Sequence, residues 1–168
     1  PRESRDFSIP RADVEIDFDM EMISESVSTG RPACVYLWGT LTTIRTEKVR
    51  KVLDSPPEGF IGFSIFEANK TEEGAFASFW AWAQEWISKS NKHDFSLKFY
   101  CYHGAAENTA MKNVSIRAKE RRGIPTLDEI DGFRKSPHWL DVEEYVDSLI
   151  WPTEDQSLKT IGKIAGAK

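Results

Sequence analysis

Cysteine is scarce in this chain: Cys34 and Cys101 are the only two among 168 residues. There is no CxxC pair and no Cys/His spacing of the kind that holds zinc, so a zinc centre is not expected. Both thiols sit in apolar runs, which points to two buried thiols in a reducing compartment rather than to a disulfide. Long apolar runs are lacking too. No stretch approaches the roughly 20 apolar residues of a membrane-spanning helix, and no signal peptide or lipidation motif is present. The expected compartment is therefore cytoplasmic, and no membrane partner is expected. An excess of positive charge is also missing. Lys and Arg number 22 against 27 Asp and Glu, a net charge of −5. Bulk charge thus does not advertise nucleic-acid binding, which would need a local basic patch. An acid-rich metal site would itself lower the net charge. Internal repeats and low-complexity segments are absent as well.

Aromatic side chains are plentiful, with six Trp and ten Phe. At this length the chain fits one domain with a sizeable core. Residues 1–12, polar and bounded by prolines, read as a lead-in arm, and residues 13–168 as the domain. The chain begins at Pro1 without a Met and ends on Gly166-Ala167-Lys168, which reads as a piece of a longer protein.

The most informative stretch is Val14 to Glu21, V-E-I-D-F-D-M-E. Its alternation puts Val14, Ile16, Phe18 and Met20 on one side of a strand, and Glu15, Asp17, Asp19 and Glu21 on the other. Like charges on one sheet face repel. A hard cation such as magnesium or manganese would offset that repulsion through carboxylate oxygens. A half-buried edge strand with a solvated acidic face would explain the same pattern.

Further strands are expected at Ala33 to Thr43 and Gly59 to Ala68, with a mostly irregular connection from Arg45 to Glu58. Three strands joined by hairpin-length links predict an antiparallel meander. Thr71 then caps a helix whose Phe76, Phe79, Trp80, Ala83, Trp86 and Ile87 form an aromatic stripe toward the core. Phe95 to His103 is a fourth strand, reached through a helix and so parallel to a neighbour. A second helix runs from about Ala105 to Arg122, and Gly123-Ile124-Pro125 breaks it. A short helix starts at Thr126, and Trp139 to Trp151 is helical or extended. Ser157 to Ala165 begins another helix.

Helical spacing places Glu107, Met111, Val114 and Ala118 on one face, the apolar one. Glu107 is then an inward acid in a first turn, just past a strand end. An unpaired buried carboxylate costs several kcal/mol or shifts its pKa, which a metal or a hydroxyl-bearing ligand would relieve. A helix-start Glu turned to solvent would fit the dipole equally. The same helix carries Lys112, Arg117, Lys119, Arg121 and Arg122, the one dense basic cluster, suited either to phosphates or to a solvated face.

The ordered set I-D-F-D-M-E, V-Y-L-W-G-T-L, Y-C-Y-H-G-A-A-E-N-T-A-M-K, W-L-D-V and Q-S-L-K-T-I-G resembles the RecB-family nucleases with a ribonuclease H-like, DEDD-type exonuclease domain. The likeness runs from Asp13 onward. It implies an α/β fold, a ribonuclease H-like mixed sheet of three antiparallel strands and then a parallel one, with helices on both faces. It implies hydrolysis of DNA or RNA phosphodiesters with magnesium or manganese at a two-metal site. Asp19 and Glu21 match the first Asp-x-Glu motif, and Asp17 is an extra acid one strand step earlier. Glu107 stands where most such nucleases have Asp. Asp141 matches the Asp of a segment near the site, and Lys159 the Lys of the S-L-K segment. With that likeness, Lys112, Arg117, Arg121 and Lys159 are the expected nucleic-acid contacts. The third motif, a Tyr-Asn followed by Asp, would fall beyond Lys168, so the fragment alone is expected to be inactive. A ribonuclease H-like module that binds nucleic acid or protein without catalysis is the alternative.

Overall fold

The computed structural model describes residues 8–25, 28, 30, 32–66 and 71–147. Strand β1, Val14–Ile23, pairs antiparallel with β2, Cys34–Ile44, and β2 pairs antiparallel with β3, Gly59–Ser64. The seven-residue helix α1, Glu47–Leu53, occupies the connection expected to be mostly irregular. Its Val49 is fully buried, so one apolar anchor suffices to hold a short amphipathic turn against the core.

The long helix α2, Glu72–His93, follows the Thr71 cap, whose hydroxyl accepts the Gly74 amide. Strand β4, Leu97–Cys101, then runs parallel to β1, and β5, Trp139–Asp141, runs parallel to β4. Between them lie α3, Gly104–Arg117, and α4, Leu127–Arg134. A reciprocal capping box of Thr126 and Glu129 starts α4. Helix α5, Val142–Asp147, follows β5 directly, resolving the expected helical or extended segment into both. The segment from Ser157 to Ala165 lies outside the described residues, as does Lys159.

The sheet order is β3-β2-β1-β4-β5, so the acidic strand is central rather than at an edge. One face carries Val14, Ile16 and Phe18, against which the aromatic stripe of α2 packs. Phe18 stacks on Phe79 at 5.2 Å, and Phe79 on Trp38 at 5.4 Å. Phe133 of α4 meets Phe99 and Trp139 edge-on. Met111 and Val114 bring α3 into the same layer. The helices expected around the sheet are distributed unevenly among the described residues. Helices α2, α3 and α4 share one layer, and the other face receives Val142 at the start of α5.

Residues 8–12 touch the sheet and α5. Tyr100 donates its hydroxyl to the Pro10 carbonyl at 2.6 Å and Tyr145 donates to Ser8 at 2.8 Å, while Ala12 is buried.

Candidate functional site

The parallel pair β1 and β4 ends in register at Asp17 opposite Tyr100. Asp19 lies two residues further along β1, past the end of that ladder and opposite Gly39 of β2. A cavity of about 620 Å³ opens on the sheet face away from the helix layer. Asp17, Asp19 and Glu21 line it together with Tyr100, Leu41 and Phe60. The period-two alternation holds through Glu21, after which the ladder shifts register between Glu21 and Met22. Phe60, 67% exposed, lies over Gly39, where a Cβ would sit 3.4 Å from the ring.

The four acids of β1 have different surroundings. Glu15 is buried, and its Oε2 is gripped by Arg45 at 2.7 Å and Arg11 at 3.1 Å. It is a structural anion at the start of the strand. Asp17 has no such pair; lost hydration, then the charge of Glu15, holds its carboxyl above the ordinary value. Asp19 accepts the Met20 amide with Oδ1 at 2.8 Å. Glu21 Oε2 faces the Tyr36 hydroxyl at 3.5 Å.

Glu107 behaves as its helical position predicts. It is 4% exposed, on the same face as Met111, Val114 and Ala118, all buried. Its Oε2 has no hydrogen-bond partner. Its pKa is pushed up to about 7, first by burial, against the lowering effect of a hydrogen bond to its own backbone. The negative charges of Asp19 and Asp141 raise it further, and His103 opposes them. Glu107 thus feels the charges of both Asp19 and Asp141, while Asp17 and Glu21 line the same cavity as Asp19.

Asp141 is placed differently from a site acid with spare oxygens. Oδ2 accepts the Gly104 amide at 2.8 Å, and Oδ1 accepts the amides of Glu143 at 3.0 Å and Glu144 at 3.4 Å. Beside it, His103 Nδ1 and Glu143 Oε2 are 2.6 Å apart, and that contact raises the imidazole pKa.

Lys112 and Arg117 of α3, and Arg121 just past its end, are paired with acids of the other helices rather than with the cavity acids. Lys112 pairs with Asp131 of α4 at 2.6 Å, Arg117 with Glu72 of α2 at 2.7 Å, and Arg121 with Glu73. They join helices to one another.

No group of three or more His, Cys, Asp or Glu among the described residues is arranged to hold a metal ion. What the site offers is two carboxylates, Asp19 on the cavity wall and the buried Glu107, whose pKa feels the Asp19 charge. Its donors are all carboxylate oxygens, and one of them is buried and orphaned. That set suits a hard divalent cation better than zinc or copper. Neither cysteine is in a disulfide, and no described helix is long and apolar enough to cross a membrane.

Gly104 was legible in the sequence only as a strand terminator. A Cβ there would lie 2.7 Å from Asp141 Oδ2 and 2.9 Å from Cys101 Sγ, so the turn into α3 requires glycine. The Asp141 bond to the Gly104 amide and the Arg45 grip on Glu15 left no sequence signal, because those partners lie 37 and 30 residues away. Comparison of the chain with protein-family models, with curated proteins and with solved structures finds no match.

Proposed function

We propose that this chain is a ribonuclease H-like domain of a metal-dependent nuclease, of the RecB-family, DEDD-exonuclease type, acting on DNA or RNA. The observation that carries the reading is Glu107: a buried carboxylate with an orphan oxygen, in the first turn of the helix after β4, within electrostatic reach of Asp19 on the neighbouring central strand. The sheet supports it as well, with three antiparallel strands followed by two parallel ones. Ligands of open α/β sheets gather outside the carboxyl ends of parallel strands, where β1 and β4 meet here.

Asp19 and Glu107 are the residues that would hold magnesium or manganese. Such a cation supplies a Lewis acid for the phosphodiester and lowers the pKa of a bound water. Asp17 and Glu21 add negative charge on either side of Asp19, and Glu107 retains its proton up to about pH 7 while no counter-charge is near. Asp141 keeps both oxygens on backbone amides, so its part in this reading is support, not attack. Lys112, Arg117 and Arg121 are proposed as nucleic-acid contacts only through side-chain donors left over from their ion pairs. The cytoplasm is the proposed compartment.

A second reading, a nucleic-acid- or protein-binding module without catalysis, is favoured by the absence of a three-ligand group among the described residues. The deciding experiment measures manganese-dependent degradation of single-stranded DNA and RNA, together with manganese calorimetry, for the chain and its Asp19→Ala and Glu107→Gln variants. Manganese binding or turnover that both substitutions remove supports the nuclease. Nucleic-acid binding with neither manganese binding nor turnover supports the module.

A further inference from the structure

We infer that Asp141 is a positioning residue, a single carboxylate that caps two helices at once and thereby sets the place of Glu107 in the first turn of α3. The argument starts from the start of α3. Its N-cap residue, His103, sits in the left-handed region at φ 62° and makes no side-chain capping bond. The first amide of the helix, that of Gly104, would lack a partner. Asp141 Oδ2 supplies it from 37 residues away, at 2.8 Å. The other oxygen, Oδ1, accepts the Glu143 and Glu144 amides and so starts α5. Parallel register sets the reach, because Cys101 of β4 pairs with Asp141 of β5.

The fit at this junction is tight. The space a Cβ on Gly104 would need is occupied by Asp141 Oδ2, Cys101 Sγ and the Trp139 ring. His103 and Glu143 form a second tie between the same two turns. Glu107 lies three residues beyond Gly104 in the first turn of α3. A shift of the helix start therefore moves Glu107 directly, whereas the far end is held separately by Ser115 Oγ donating to Pro125.

For its consequence at the site this inference rests on the nuclease reading; the tie itself does not. The experiment compares the whole chain with Asp141→Asn, Glu107→Gln and Ser115→Ala by amide hydrogen exchange and by manganese titration, at a temperature where all four are folded. Asn can still cap α5 through its oxygen, but its amide nitrogen cannot accept the Gly104 N–H. Asp141→Asn is expected to speed exchange at Gly104 about tenfold, the effect of losing one capping bond. It should weaken manganese binding by about tenfold or more, as loss of a ligand-orienting group does. Glu107→Gln should remove manganese binding without speeding exchange at Gly104, and Ser115→Ala should change neither reading. Unchanged Gly104 exchange in Asp141→Asn overturns the tie. Faster exchange with unchanged manganese affinity reduces Asp141 to a structural cap and overturns the positioning role. Complete loss of manganese binding without faster exchange makes Asp141 a ligand, which also overturns it. If the unsubstituted chain binds no manganese, the nuclease reading fails and the positioning role with it. The exchange arm then still reports whether the Asp141–Gly104 bond exists.

Discussion

At the residue scale, Glu107 is a group whose neutral form the fold prefers. Its folded pKa, about 7, lies above the 4.5 of an unperturbed carboxyl. Below about pH 4.5 both folded and unfolded chains hold the proton, and the contribution is fully present. As pH rises through the window between these values, the unfolded chain ionises first, and stability falls until the folded group ionises near 7. In the absence of divalent cations, Glu107→Gln removes this loss. The variant should melt higher than the parent at pH 8, by roughly 2–8 °C for about 1–2 kcal/mol. It should match the parent more closely at pH 4.5. Thermal denaturation at the two pH values checks this; equal gains at both would show that the carboxylate is not held above its ordinary range. Gly104 is the second residue with a sharp expectation. Gly104→Ala forces a methyl against Asp141 Oδ2 and Cys101 Sγ and should destabilise by about 1–3 kcal/mol, as overpacking does. Denaturant unfolding measures it.

At the element scale, Glu72 joins three pieces. Its Oε1 accepts the Val35 amide of β2 at 2.7 Å and the Arg117 guanidinium of α3 at 2.7 Å, from the first turn of α2. Glu72→Ala leaves the Val35 amide without its partner and should cost about 1–3 kcal/mol. Arg117→Ala leaves Glu72 still bonded to that amide, and the exposed guanidinium contributes well under about 1 kcal/mol. A double-mutant comparison by urea denaturation separates the two; equal losses would mean that the ion pair, not the amide bond, holds α2 to β2. The stripe on α2 acts at the same scale. Trp38 is fully buried between Phe18, Phe76 and Phe79, so Phe79→Ala should cost about 3–5 kcal/mol through the cavity it leaves.

At the scale of the whole molecule, charge is segregated. Asp17, Asp19 and Glu21 of β1 face the cavity on one side of the sheet, and Lys112 and Arg117 of α3 stitch the helix layer on the other. Phosphate contacts release counterions, so each one steepens the fall of affinity with salt by roughly one unit of slope. Because Lys112, Arg117 and Arg121 are engaged with Asp131, Glu72 and Glu73, the donors left over make each a partial phosphate contact, and replacing any one by Ala should lower the salt slope of nucleic-acid binding by about half a unit rather than a full one. Filter-binding or fluorescence anisotropy across a salt series tests this. An unchanged slope would remove these residues from the proposed nucleic-acid interface, and a slope reduced by a full unit would show that the ion pairs give way to phosphate.

The sequence by itself determined the local periods. Alternation along Val14 to Glu21 dictated a strand with acids on one face. The helical spacing of Phe76, Phe79, Ala83 and Trp86 dictated a buried stripe, and that of Glu107, Met111 and Val114 an inward carboxylate. These are one-dimensional patterns, set by how side chains project from a strand or a helix. Only the tertiary structure decided what those side chains meet. Glu15 could be separated from Asp19 only once Arg45 was folded against it. The α3 cations could be read as helix ties only once α2 and α4 brought their acids close. Asp141 looked like one more site acid until parallel pairing of β4 and β5 delivered it to the Gly104 amide. Charge and hydrogen-bonding capacity are visible in a sequence, but a partner distant along the chain is chosen by packing, and packing exists only in three dimensions.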